Sequence, residues 1–373
     1  MASNPQNGGE ELSDRRRKNI LALRILRTLW SSQIDALKDV LGAKQTVDLL
    51  TPFFLRMSNS GTLQIMDWVG VKDKGIEDLG RVASIQVPIN LMFEVGINVH
   101  EDGMSFVGLS ECPYKNASKE ICLLQDRATA TGSLEAFDLE NDFEFTMDFE
   151  HPCDDRYCKS EHFFVLKGSD RPKGKIIANY STEELRVKYG QDWMDDLSIQ
   201  YKAEFFVQTT NMAIEELETE NAESVLLKAA DEVGKEIAEI WRKEDLAKAF
   251  DVKGVIELLA ILGDSMKQGS EIARVGKNNM MRKVRSCPFS DSNPLVCAQL
   301  EAFTSRLCSE LFPGTSYETR KVMTKGDDHC SFGVKVSKLD GDEMDPLQIL
   351  KIRFAKGEIS EMEYLRMRNL LID

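Results

Sequence analysis

One cysteine frame is written twice in this chain, and it constrains the fold more than any other feature. In the first half Cys112-Pro113-Tyr114 is followed ten residues later by Cys122, and then by Cys153 and Cys158. In the second half Cys287-Pro288-Phe289 is followed ten residues later by Cys297, and then by Gly326-Asp327-Asp328-His329-Cys330. Apolar positions upstream repeat as well: Leu49-Leu50 stand 63 and 62 residues before Cys112, and Leu226-Leu227 stand 61 and 60 before Cys287. Such a repeat predicts an internal duplication.

Hydrophobic periodicity gives each copy the same order, helices first and strands after. Residues 1–13 are small and polar and read as disordered. From Asp14 on, Ile20, Leu23, Leu26 and Leu29 keep helical spacing, and a second helical stretch from Gln33 to Met57 breaks near Gly42. Ser58-Asn59-Ser60-Gly61 reads as a further break, and Pro88 as the interruption of an apolar run. Around Asp102-Gly103 the period changes, and Met104 to Leu109 reads as a strand entering Cys112-Pro113. Phe143, Phe145, Met147 and Phe149 alternate with polar residues, as a strand with one buried face requires. His162 to Leu166 is its return strand, with Cys153 and Cys158 at the turn.

The turn-rich Gly168 to Gly174 marks 168–199 as a linker between a first domain, 14–167, and a second, 200–338. Ser181 with Glu184 is a capping-box pattern for a short helix inside it. Helices over about 203–267 precede a strand near Met280–Arg285. Asn293-Pro294 starts a helix on which Cys297, Leu300, Phe303, Leu307 and Leu311 form one stripe. A hairpin of Tyr317–Thr324 and Cys330–Val336 closes the unit and turns Cys330 inward, in phase with Phe332, Val334 and Val336. In the tail, Asp345-Pro346-Leu347 opens a helix that Gly357 ends, and Ser360 with Glu363 caps another. Helices this short cannot bury their own apolar faces, so 345–373 is expected to dock on a partner. The expected class is α+β: two similar domains of helices plus antiparallel sheet, and a C-terminal helical hairpin.

With 373 residues and 42% apolar content the chain is long enough for two or three cores. No apolar run approaches the ~18 residues of a membrane span, and Met1–Glu11 has no signal-like core, so no membrane is expected and the cytoplasm is the expected location. A net charge of -15 argues against nucleic acid, which needs clustered cations; Arg15-Arg16-Arg17-Lys18 reads as a solvated helix start.

In that compartment, eight cysteines are reduced core thiols or metal ligands. Thiolates bind zinc tetrahedrally; four protein ligands close a structural site, and three leave a position for water. Cys112, Cys122, Cys153 and Cys158 are enough to close one. Cys287, Cys297 and Cys330 are three, with His329, Asp327 or Asp328 as possible completions, so the second copy is a candidate open site. An iron–sulfur cluster also takes four thiolates. Inward-facing reduced thiols, or a redox pair, are the readings without metal. Cys308 reads as core, and His329 as a turn residue facing away from Cys330. His151 and His162 have no stronger claim. The Asp pairs 154–155 and 327–328 read as turn formers. There is no G-x-G-x-x-G in a strand–helix context, Walker sequence, H-E-x-x-H or G-x-S-x-G.

Three stretches resemble known families. Tyr317 to Val336 resembles the end of the vinyl-reductase-type ligand-binding domain, which implies small-molecule sensing and a zinc-binding role for Cys330; the family's other hairpin cysteine falls near Val322 here. The Cys-Pro-aromatic frame, helix cysteine and Cys-containing hairpin are similar to the L-2-amino-thiazoline-4-carboxylic acid hydrolase family. Asp345 to Ile372, through Asp345-Pro346-Leu347, Lys356-Gly357-Glu358-Ile359 and Glu363-Tyr364, resembles the SHOCT module, which implies oligomerisation or docking. The resemblances imply a zinc-containing sensor for a small apolar or aromatic ligand, assembled as a homo-oligomer or docked through its tail. The alternative they imply is a metal-dependent amidohydrolase acting on a cyclic C–N bond.

Overall fold

The computed structural model describes residues 14–71, 73–91, 96–111, 119–149, 157–243, 252–275 and 279–336, and in the tail 350, 354, 360, 363–365 and 368, some of them by backbone alone. The chain forms two compact units, Met1–Ala229 and Ala230–Asp373. Residues 1–13, most of 345–373, and Cys112, His151, Cys153, Asp154 and Asp155 lie outside the described residues, and Cys122 and Cys158 are described by backbone only.

The first unit opens with α1 (Asp14–Leu41) and α2 (Ala43–Val69). Between them Gly42 takes φ 81°, a conformation that costs glycine nothing and other residues about 1 kcal/mol or more. α2 does not break at Ser58–Gly61; it runs through. These small residues serve contact, not a turn. Ser58 Oγ donates to Thr129 O at 2.6 Å, and a Cβ on Gly132 would lie 2.7 Å from Leu55 O, so α2 and α4 (Lys119–Ala136) approach to backbone contact. Pro88 likewise lies inside a helix, α3 (Ile76–Leu91).

The strands of this unit are β1 (Gly96–His100), β2 (Gly103–Glu111), β3 (Phe143–Phe149), β4 (Tyr157–Leu166) and β5 (Ile176–Ser181). They form one antiparallel sheet in the order β3-β4-β2-β1-β5. The hairpin read from alternating phenylalanines is present, with Phe145 opposite Phe164. Ile97, Val99, Met104, Phe106 and Phe164 bury one face of the sheet against Leu79, Val82 and Ile85 of α3 and Leu134 of α4.

The segment read as a linker, 168–199, is more than a connection. After the turns up to Gly174 it supplies edge strand β5, then α5 (Thr182–Tyr189) and the start of α6 (Gln191–Leu217). α6 belongs to the first unit because Phe205 packs among Trp30, Phe53 and Phe54, with ring centroids 5.1 to 5.7 Å away. Each such buried aromatic contributes about 2–3 kcal/mol. Gln33 Nε2 donates to Thr210 Oγ1 at 2.9 Å, fixing the register of α1 on α6. The division between the units falls within α7 (Thr219–Lys243).

The second unit continues with α8 (Val252–Ser265), β6 (Gly269–Arg274), β7 (Asn279–Ser286), α9 (Pro294–Leu311), β8 (Thr315–Lys321), a 3-10 turn at Met323–Lys325 and β9 (Cys330–Val336). Its antiparallel sheet has the order β6-β7-β9-β8. Asn293 caps α9 as expected, its side chain accepting from Leu295 N at 2.9 Å with Pro294 in the first turn. Phe303, Leu307 and Leu311 form the buried stripe of α9. In the tail, Ser360 and Glu363 form the capping box reciprocally: Ser360 N donates to Glu363 Oε2 at 2.8 Å and Glu363 N to Ser360 Oγ at 3.3 Å. Among the described residues no helix is long and apolar enough to cross a membrane.

Candidate functional site

The second unit brings Cys287, Cys297 and Cys330 together. β7 pairs with β9 so that Val284 lies opposite Cys330, and Cys287 follows at the end of β7. The Cys287–Ser290 turn, closed by Ser290 N donating to Cys287 O at 3.2 Å, buries Phe289 and leads into α9, whose first turn carries Cys297. Cys330, Val284 and Val322 form a small apolar cluster against which Cys287, Cys297 and Phe332 pack. The cysteine phases read from the sequence therefore point to one place. Cys308 is core, as expected.

These thiols are neutral near pH 7. Burial pushes the Cys297 thiol up to about 11 and raises Cys287 and Cys330 as well. N–H groups moderate the effect at two sulfurs: Phe289 N–H and the Gln268 amide at Cys287, and Met323 N at 3.3 Å from Cys330 Sγ. Such donors favour thiolate, which suits a thiophilic cation. Yet among the described residues no group of three or more His, Cys, Asp or Glu side chains is placed to hold a metal ion. The proposed completions turn elsewhere. His329 Nδ1 bonds to Asp328 Oδ1 at 2.6 Å, and Asp327 accepts from Val322 N at 2.8 Å, so both aspartates and the histidine serve the hairpin turn.

The thiols line two spaces. An inner pocket of about 50 Å³ between α8, α9 and the sheet is walled by all three, with Gln268, Arg282 and Tyr317. An outer cleft of about 240 Å³, carrying Arg320, Lys321, Lys325 and Asp327, shares with it Cys297, Glu301, Cys330 and Phe332. Arg282 on β7 is 4% exposed; its Nη2 donates to Gln268 Oε1 and its Nη1 to Tyr317 OH at 3.4 Å.

The first unit has a pocket in the corresponding place, about 40 Å³, between α3, α4 and the sheet. Gln86 is its polar hub: Ser133 Oγ donates to Gln86 Oε1 at 3.0 Å, and Gln86 Nε2 donates to Ser58 Oγ at 3.2 Å. His162 stacks on Phe106 at 4.5 Å, and burial holds its pKa down to about 4, so it is neutral. Asp126, also on the wall, has its pKa raised to about 7 by burial, against the opposing pull of Lys202. Lys202 is itself buried over the Trp30 and Phe205 rings, 5.0 Å from each, and burial brings it down to about 7.

Several of these groups were not singled out from sequence. Asp126 and Glu301 each stand four residues after the helix cysteine of their frame, Cys122 and Cys297, on the same helical face. That spacing was a readable signal. Arg282 lies in phase with the buried Met280 and Val284, a charge at a core position of a strand. Lys202 had no such signal. Comparison of the chain with family models, with curated proteins and with solved structures gives no match.

Proposed function

We propose that this chain is a duplicated small-molecule-binding protein in which each unit holds its ligand between a helix pair and the inner face of its sheet. The observation that supports it best is the recurrence of one pocket. Counted from β1 away from edge strand β5, the first sheet runs β1-β2-β4-β3, the second runs β6-β7-β9-β8, and both pockets lie under the helix that joins the second strand of that order to the fourth. In both, that helix supplies an acid one turn beyond its cysteine, Asp126 or Glu301.

Size limits the ligand. The inner pockets, about 40 and 50 Å³, hold a few waters each, far below the about 150 Å³ that accommodates benzene in an engineered cavity. An apolar or aromatic ligand must widen them or insert only a small head. A thermal-shift titration of the full chain with neutral phenol-sized compounds should show a saturable rise in midpoint, lost in Ala130→Leu, which fills the first pocket. No saturable response from any compound refutes this reading.

Zinc at Cys112, Cys122, Cys153 and Cys158 stays part of the proposal on their spacing. Metal analysis of the purified protein and of Cys153→Ser tests it, and the absence of stoichiometric metal ends it. SHOCT-like assembly through 345–373 predicts a smaller oligomer after truncation at 344, read by light scattering. Glu301, on the same wall as three thiols, favours one second reading, an amidohydrolase with Glu301 as base. Turnover of cyclic amides lost in Glu301→Gln would carry it.

A further inference from the structure

We infer that the inner pocket of the second unit is a carboxylate site, with Arg282 as the anchor; this rests on the reading of the chain as a small-molecule-binding protein. A guanidinium has five N–H donors, and burying its charge without an anionic partner is costly. Arg282 is 4% exposed, yet its described partners are two neutral oxygens, Gln268 Oε1 and Tyr317 OH. Its Nε is buried with no hydrogen-bond partner among the described residues. Phe332, whose ring centroid is 5.8 Å from the guanidinium carbon, covers it without neutralising it.

The carboxylate on the pocket wall does not supply the missing charge. Glu301 lines the same pocket, but among the described residues no carboxylate forms an ion pair with Arg282. Tyr317 is held protonated, its pKa pushed up to about 12 by burial, and since its oxygen accepts from Arg282 its own proton is left to donate. The pocket therefore offers a fixed cation, an N–H edge and a phenolic O–H to an anion that accepts on two oxygens, as a carboxylate does.

The space agrees. About 50 Å³ takes a carboxylate with one or two carbons, and the rest of a longer molecule would lie in the outer cleft of about 240 Å³ beyond the shared Cys297, Glu301, Cys330 and Phe332. In a chain of net charge -15, that cleft carries three cations, Arg320, Lys321 and Lys325, against Glu301 and Asp327. It favours the approach of an anion.

The test uses the full chain under reducing conditions, with sodium acetate and propionate as probes, acetamide as the neutral isostere and sodium chloride to match ionic strength. Binding is followed by thermal shift and by ligand-observed NMR. Acetate and propionate should bind saturably where acetamide does not, Arg282→Lys should weaken them at least tenfold, and Arg282→Met should abolish the response. Glu301→Gln, which leaves Arg282 in place, should tighten binding severalfold. Equal responses to acetate and acetamide, or a response that survives Arg282→Met, overturns the assignment. So does a destabilised Glu301→Gln that binds no better, because Glu301 is then the counter-ion of Arg282. The neutral phenol-sized probes of the first pocket report separately on ligand binding, so their success alongside failure here leaves that broader reading standing.

Discussion

Lys202→Met should make the first unit more stable, although it removes a side chain that touches two aromatic rings. In the fold Lys202 is 2% exposed and burial brings its pKa from 10.5 to about 7. Between about pH 7 and 10.5 the unfolded chain therefore binds more protons than the folded one, and stability rises with pH across that window. The destabilisation is fully present below the folded pKa and fades as pH rises towards the unfolded one. At about 1.4 kcal/mol per unit, the cost near pH 7 is about 4 kcal/mol, of which about 3 kcal/mol is recovered by about pH 10. Contacts of the ammonium with Trp30 and Phe205 offset about 2 kcal/mol of this. The methionine variant should gain about 2 kcal/mol near neutrality and lose the alkaline rise. Asp126 is half-buried and loses a positive neighbour in the variant, so Asp126→Asn and the double variant complete the cycle. Urea unfolding with reductant, followed by tryptophan fluorescence, reports mainly on this unit, since Trp30, Trp68 and Trp193 lie within it and only Trp241 outside. If wild type and variant gain equally between neutral and alkaline pH, Lys202 keeps its charge in the fold and the reasoning fails.

Two other predictions address packing and the first pocket. Gly132→Ala should cost about 2–3 kcal/mol and Gly61→Ala less than about 1 kcal/mol. A Cβ at Gly132 meets Leu55 O at 2.7 Å and Ser58 Cβ at 2.9 Å, whereas one at Gly61 meets the Tyr201 hydroxyl, which can swing aside; equal losses in urea melts would contradict this account of the α2–α4 contact. His162, with its pKa lowered from 6.5 to about 4, stabilises the fold above the unfolded pKa and loses that contribution as pH falls through the window, about 3 kcal/mol in all. Its imidazole resonances should not titrate above about pH 5, and His162→Phe should flatten the acid limb of the stability curve. An imidazole that titrates near 6.5 would show an open pocket.

The strongly periodic elements were legible. The alternating Phe143, Phe145 and Met147 predicted β3, the Asn293-Pro294 signal placed the start of α9, and the phase of Cys330 turned it inward. Short or polar strands were not. β1, β5 and β6 are five or six residues long, and β6 is a polar edge strand, so ladder pairing defines them more than their own pattern does. Ser58–Gly61 looked like a turn because small polar residues serve turns and close helix contacts alike, and only the presence of α4 decides between them.

Periodicity alone carried the α+β character, the helices that lead into each sheet, and the inward phase of Cys297 and Cys330, because the 3.6- and 2-residue periods fix which way each side chain points. Long-range packing is what joins α6 to the first unit, buries Lys202 against aromatic rings, and leaves Arg282 without a carboxylate partner among the described residues. Those outcomes depend on which groups distant in sequence surround a charge and how much water they exclude. Local pattern carries no record of either.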